Sequence, residues 1–340
     1  MRFGQCISLL AIVISLYIIW QIRLIILIVF ASVTLATVLN QIVGFLQRFR
    51  IKRGFAILLT IGLVLLILGV FSALIVPPVT QQLQQFSYLL PIALQRIRLW
   101  NDWLVGVIPD NFLEDFWDFR YLTQSLQIWL NRIFNNFFFL VSSSLYVILG
   151  FLLFFALTIM FMSNSLSYKR GFILLFPAFY RQRVDEIINK CGDSLIGWLK
   201  GTLIAMLFIA VSSYIGLIIF QIPLPLVNAL LAGLLEFIPN IGPTLSAIPP
   251  VILALADQPW KAGLILLWYV IIQQLDSFVV LPLVMHSQVS LLPAVTLLSI
   301  VVSGSFFGFL GVFLAVPLVI VLQVWIQEVV IKDVLNKWDD

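Results

Sequence analysis

The chain has 340 residues, 62% of them hydrophobic and 10% charged, with a mean hydropathy of +1.13. A soluble domain of this length needs a charged surface, so the composition excludes one and places most of the chain in lipid. The apolar runs are about twenty residues long rather than about ten and alternating, which excludes an outer-membrane barrel. The formal charge of +4 sits in short clusters between runs, as membrane topology requires and nucleic-acid binding does not.

The expected fold is therefore an all-α polytopic membrane protein with about eight hydrophobic segments, at 3–20, 24–46, 54–77, 137–162, 198–220, 226–256, 261–285 and 291–327. The first run ends in QIR with no small-residue cleavage site, so it reads as a membrane helix and not a signal peptide. RFRIKR, from Arg48 to Arg53, separates the second and third runs. The loop 163–197 carries Lys169, Arg170, Arg181, Arg183 and Lys190. The positive-inside rule places both basic stretches, and with them both termini, on the cytoplasmic side.

The segment 79–136 must then lie outside, where four arginines face Asp102, Asp110, Glu114, Asp115 and Asp118. Leu122, Leu126, Trp129 and Ile133 recur at helical spacing, which predicts amphipathic helices there. Such helices lie on the bilayer or the bundle, or build a subunit contact or a lid. The expected divisions are N-terminal membrane helices over 1–78, this outer segment, a membrane helix over 137–162, the basic loop 163–197, a C-terminal core with two interrupted segments over 198–327 and a cytoplasmic tail over 328–340.

Two runs are too long for one crossing. At 1.5 Å per residue, 226–256 would reach about 46 Å and 291–327 about 55 Å, against a hydrocarbon core near 30 Å. Each holds a break signal, PNIGP at 239–243 and SGSFFGFLG at 303–311, where proline removes a backbone donor and glycine permits a sharp turn. A kinked helix and a re-entrant hairpin both fit, and the hairpin is preferred because a helix precedes each broken run, as in two copies of one unit. Hairpins would make the C-terminal half an inverted repeat, whereas spanning segments would make it a parallel one. Paired interrupted segments are where secondary transporters bind cargo.

Glu236 and Asp276 are the acids well inside apolar runs, and charge at mid-membrane marks a cavity or a partner. Glu236 precedes Pro239, Asn240, Gly242 and Pro243, where unwound backbone would offer carbonyls to a cation or polar solute. Asp276 follows Gln273 by one helical turn, giving one polar face. Ser303, Gly304 and Ser305 would supply hydroxyls and backbone at the second break. Each has a structural alternative: an acid bonded to freed backbone, an interhelical network, or close packing. Cys6, Cys191 and the single histidine, His286, have no metal-ligand spacing. No GxxxxGK[ST], HExxH, CxxC or GxSxG motif occurs, so neither a cofactor, direct ATP driving nor catalysis is expected.

GWLKGTLIAML (197–207), LPLVNALLAGLLEFIPNIGPTLSAIPPVILAL (224–255) and LPLVMHSQVSLLPAVTLLSIVVSGSFFGFLGVFLAVPL (281–318) resemble the autoinducer-2 exporter (AI-2E) family of bacterial membrane proteins. The resemblance implies export of a small furanosyl-type signalling molecule, sodium or proton antiport in some relatives, and a homo-oligomer, with a pentamer as one form. The expected function is a secondary transporter exporting a small polar solute, with ion coupling as an option. A sodium/proton antiporter is the alternative within transport, and a non-transporting membrane scaffold is the alternative outside it.

Overall fold

A computed structural model of the protein describes residues 14–15, 17–18, 20–107, 144–239, 241–280, 282–283 and 292–337. Every regular element among them is helical. In chain order these are α1 (Arg23–Arg48), α2 (Arg53–Val107), α3 (Ser144–Ser163), α4 (Ser165–Ile173), α5 (Arg181–Ile219), α6 (Pro225–Leu235), α7 (Ile241–Asp257), α8 (Pro259–Leu275), α9 (Pro293–Phe307) and α10 (Phe309–Trp325). Among the described residues, Arg23–Arg48, Arg53–Pro78, Ala178–Ile219, Pro259–Val280 and Phe309–Val334 are long and apolar enough to cross a membrane; the bent pair α3–α4 makes a sixth. The first expected run and the spaced set Leu122, Leu126, Trp129 and Ile133 fall largely or wholly outside the described residues.

The chain divides into two compact units, one of 1–64, 149–199 and 287–340, the other of 65–148 and 200–286. In the first, Ala36, Leu39 and Val43 of α1 pack on Ala56, Ile57 and Ile61 of α2 and Met162 of α3. Lipid gives little hydrophobic drive between helices, so close packing and polar ties hold them together. Ser32 Oγ donates to the Phe154 carbonyl at 3.2 Å, and Arg53 Nη2 donates to the Met162 carbonyl at 2.9 Å and to Ser165 Oγ at 3.0 Å. On the other side of α2, Leu58, Leu66 and Leu74 are all more than 60% exposed, an apolar surface suited to lipid or to another membrane helix.

The segment expected as a loop over 163–197 is instead mostly helix, as α4 and the first half of α5. Hydropathy marks what lies in lipid and is blind to a polar helix. Helicity over 181–198 comes from Val184, Ile187, Cys191, Leu195 and Trp198, which recur every three or four residues and are all buried. The expected tail is likewise helical to Lys337, with a wide-turned stretch over Ile326–Val334. Ile187 and Cys191 pack on Val324 there, and the buried Glu328 carboxylate accepts from Arg183 Nη2 at 2.7 Å, Lys190 Nζ at 3.0 Å and Lys332 Nζ at 2.7 Å. Asp333 accepts from Arg183 Nε at 3.1 Å and from the Tyr180 hydroxyl.

Both long runs are interrupted, the first at the leading edge of PNIGP and the second inside the expected 303–311 stretch. α9 passes through Ser303, Gly304 and Ser305 without unwinding and stops at Gly308. Ser305 Oγ donates to the Val301 carbonyl four residues back at 2.8 Å, which lets serine stay helical. Gly308 has φ +67° and ψ −146°, a conformation side-chained residues rarely adopt, and it turns α10 back along α9.

Candidate transport site

The second unit is built on α5, α6, α7 and α8. Pro225 and Pro259 sit at the first helical positions of α6 and α8, where the missing N–H leaves nothing unsatisfied. Gly233 of α6 lies against the Met206 carbonyl and Ala210 of α5. Trp268 of α8 rests on Gly216 and donates to the Ser212 carbonyl at 3.1 Å. α7 packs along both α6 and α8, so the three form a folded-back set around Ala232, Ala247, Leu253, Ala254, Ala262 and Ile265.

The first break is a compact turn over Glu236–Pro239 rather than an unwound PNIGP stretch. The amides of Glu236, Phe237 and Ile238 are spent on the Ala232, Leu234 and Leu235 carbonyls, and Gly242 N donates to the Ile238 carbonyl at 2.9 Å. Gly242 and Pro243 already belong to the first turn of α7, where proline is tolerated. A Cβ on Gly242 would run into the Leu235 carbonyl, so the turn closes only because residue 242 has none. Pro239 is half-buried, Pro243 accepts from Ser246 Oγ at 2.9 Å, and Asn240 lies outside the described residues.

At this turn Glu236 is 6% exposed and its Oε2 has no hydrogen-bond partner. Asp276 is fully buried, with neither carboxylate oxygen bonded, and its charge is within reach of Glu236. It stands where α8 passes into a π-helical stretch, Asp276–Val280; such widenings frequently occur at functional sites. Gln273 is half-buried one turn before it. The fold thus brings Glu236, the Pro239–Pro243 turn, Gln273 and Asp276 into one unit, while Ser303, Gly304 and Ser305 belong to the other. Ser303 is buried there; Ser305 is exposed and bonded to its own helix.

Three further buried polar groups escaped the sequence reading. Ser213 and Asn228 are at most 1% exposed, and Tyr269 is 8% exposed. The Ser213 and Tyr269 hydroxyls are close enough to interact but not aligned for a full hydrogen bond, and Asn228 Oδ1 is unbonded. Of the nine buried side-chain polar atoms without a partner among the described residues, six lie in this unit, and all six can accept a hydrogen bond. Asn228 and Tyr269 precede Glu236 and Asp276 by eight and seven residues, about 10–12 Å along parallel helices. This gives two polar levels in an otherwise apolar unit. Asn228 was legible as an amide inside an apolar run; serine and tyrosine are too common in membrane helices to stand out.

Membrane-length helices, two folded-back breaks and buried polar groups with unpartnered acceptors are the features of a membrane transport protein. Residues 7–331 match the family described as AI-2E family transporter, and the chain belongs to that family. It is 28% identical over 310 residues to the "Putative transport protein YueF" of Bacillus subtilis, covering 86% of this chain and 81% of that one. It is 34% identical over 145 residues to the "Putative transport protein MT0215" of Mycobacterium tuberculosis (42% and 40%). With the "Putative permease PerM" of Escherichia coli it shares 24% over 165 residues (47% and 43%).

Proposed function

We propose that the protein is a secondary transporter of the bacterial inner membrane that moves a small polar solute outward, with Glu236 and Asp276 as the site through which an ion is coupled. The observation that carries this reading is the pair of buried carboxyl groups within electrostatic reach of each other, three of whose oxygens have no partner. Desolvated acids without a partner are retained in a membrane protein where a proton, a cation or a polar solute engages them. Their place beside a helix break and a π-helical stretch gives the local freedom to alternate access.

Reconstituted vesicles test it. Under an imposed proton or sodium gradient the native chain should carry flux, and at least one of Glu236→Gln and Asp276→Asn should lose it while still folding and reconstituting. No flux under any gradient, or full flux in both variants, overturns the reading. The surplus of acceptors favours a second version, a sodium/proton antiporter, in which both acids are indispensable; an exporter of a neutral solute tolerates the amide at one of them. Comparing metabolites released by cells with and without the protein identifies the cargo.

A further inference from the structure

The stretch between α3 and α5 turns sharply away from α3 and packs only in part on the rest of its unit. α3 ends at Ser163 after 20 residues, about 30 Å, the thickness of the hydrocarbon layer. At Asn164 the chain bends by 87°, so α4 runs at nearly a right angle to α3. Phe161 and Tyr168 pack edge to face across the bend at 5.0 Å, and Arg53 holds it from the α1–α2 turn through the Met162 carbonyl and Ser165 Oγ. The geometry of the corner is therefore fixed.

FILLFPAF, residues 172–179, follows α4. Its inner side is anchored: Phe176 stacks on Trp325 at 6.0 Å, and the Arg181 guanidinium donates to the Phe176 carbonyl at 3.1 Å. Its outer side is bare. Leu174 is 61% exposed, Leu175 79% and Phe179 88%, more than most lipid-facing side chains on the spanning helices. Three exposed cations of the same region have no ion pair among the described residues: Arg170 on α4, and Arg50 and Lys52 beside Arg53, which is bonded to the bend. Lys169 and Arg183, by contrast, are paired with Asp185 and with Glu186, Glu328 and Asp333.

We infer that residues 165–180 are an interfacial anchor that buries Leu174, Leu175 and Phe179 in the cytoplasmic leaflet and binds anionic phospholipid headgroups through Arg170, Arg50 and Lys52. A right-angled segment at the end of a span lies at headgroup depth. Exposed aliphatic and aromatic side chains there gain by entering the acyl boundary. Each unpaired cation adds attraction to an anionic leaflet, and a zwitterionic one provides none.

The test uses the full chain with Cys6→Ser and Cys191→Ser in nanodiscs. A fluorophore on Leu175→Cys should be quenched by brominated lipid and shielded from aqueous iodide, while one on Asp193→Cys shows the reverse. Retention of phosphatidylglycerol over phosphatidylcholine on purification should fall about fivefold for each of Arg170→Gln and Lys52→Gln. Iodide quenching at Leu175 places the segment in water and overturns the inference. Shielding from both quenchers makes it a contact between copies of the chain, which also overturns it. Lipid retention indifferent to headgroup charge overturns the anionic preference.

Discussion

Two residues carry opposite kinds of constraint, and both can be measured in thermal unfolding of the purified protein. Gly242→Ala drives a methyl group into the Leu235 carbonyl, a clash with backbone that no rotamer relieves, and should cost about 2 kcal/mol. Gly263→Ala, on α8 with nothing near its added Cβ, should be neutral or slightly stabilising and serves as the control. Glu328 is constrained by charge instead. Its side chain is 7% exposed, whereas Lys332 is 54% exposed, so Glu328→Gln should cost about 2–3 kcal/mol and Lys332→Gln less than about 0.5. Equal losses at the two positions would mean that the cluster is a solvated surface feature. At this scale the sequence was informative where a residue violated its surroundings, as Glu236 and Asp276 do. It was silent on Glu328, whose role depends on partners 145 residues away in the chain.

Among the elements, apolar runs translated almost directly into helices: α1 and α2 begin within a residue of the expected runs, and α3 ends within a residue of its run. Polar helices did not, because periodic burial of Val184, Ile187 and Cys191 is a weaker signal than a continuous apolar stretch. Within the expected 303–311 stretch the second break falls at Gly308 and not at Ser303–Ser305, because serine satisfies itself against its own helix while a reversal needs a positive φ. α2 makes a prediction of its own. Its 55 residues extend about 80 Å, well beyond the 40–45 Å of a bilayer with its headgroups, so the helix leaves the bilayer after Pro78, on the outer side if the basic turn before it is cytoplasmic. Gln81 and Gln95 are exposed on that extension. Cysteines at both positions should react with an impermeant maleimide on intact cells; protection of Gln95→Cys would put the extension against lipid or another chain.

For the molecule as a whole the open alternative is whether α6 and α7 cross the membrane together or enter and leave on one side. Their lengths, 11 and 17 residues, give about 16 and 25 Å, each short of the hydrocarbon core. Packed along each other across a closed turn they cannot add end to end into one crossing, which is why the hairpin is expected. By the positive-inside rule the basic first half of α5, with Asp193, is expected on the cytoplasmic side, and the apolar half from Lys200 to Ile219 is just long enough for one crossing. A re-entrant hairpin then returns Trp260, 61% exposed at the start of α8, to the outer face. In a background of Cys6→Ser and Cys191→Ser, Trp260→Cys should label from outside in intact cells and Asp193→Cys only after permeabilisation. Labelling of both from the inside would restore a kinked crossing and remove the inverted repeat from the C-terminal half. It would also put the Glu236 turn midway along a span rather than at the tip of a hairpin, leaving the two acids as the site but changing the side from which each is reached.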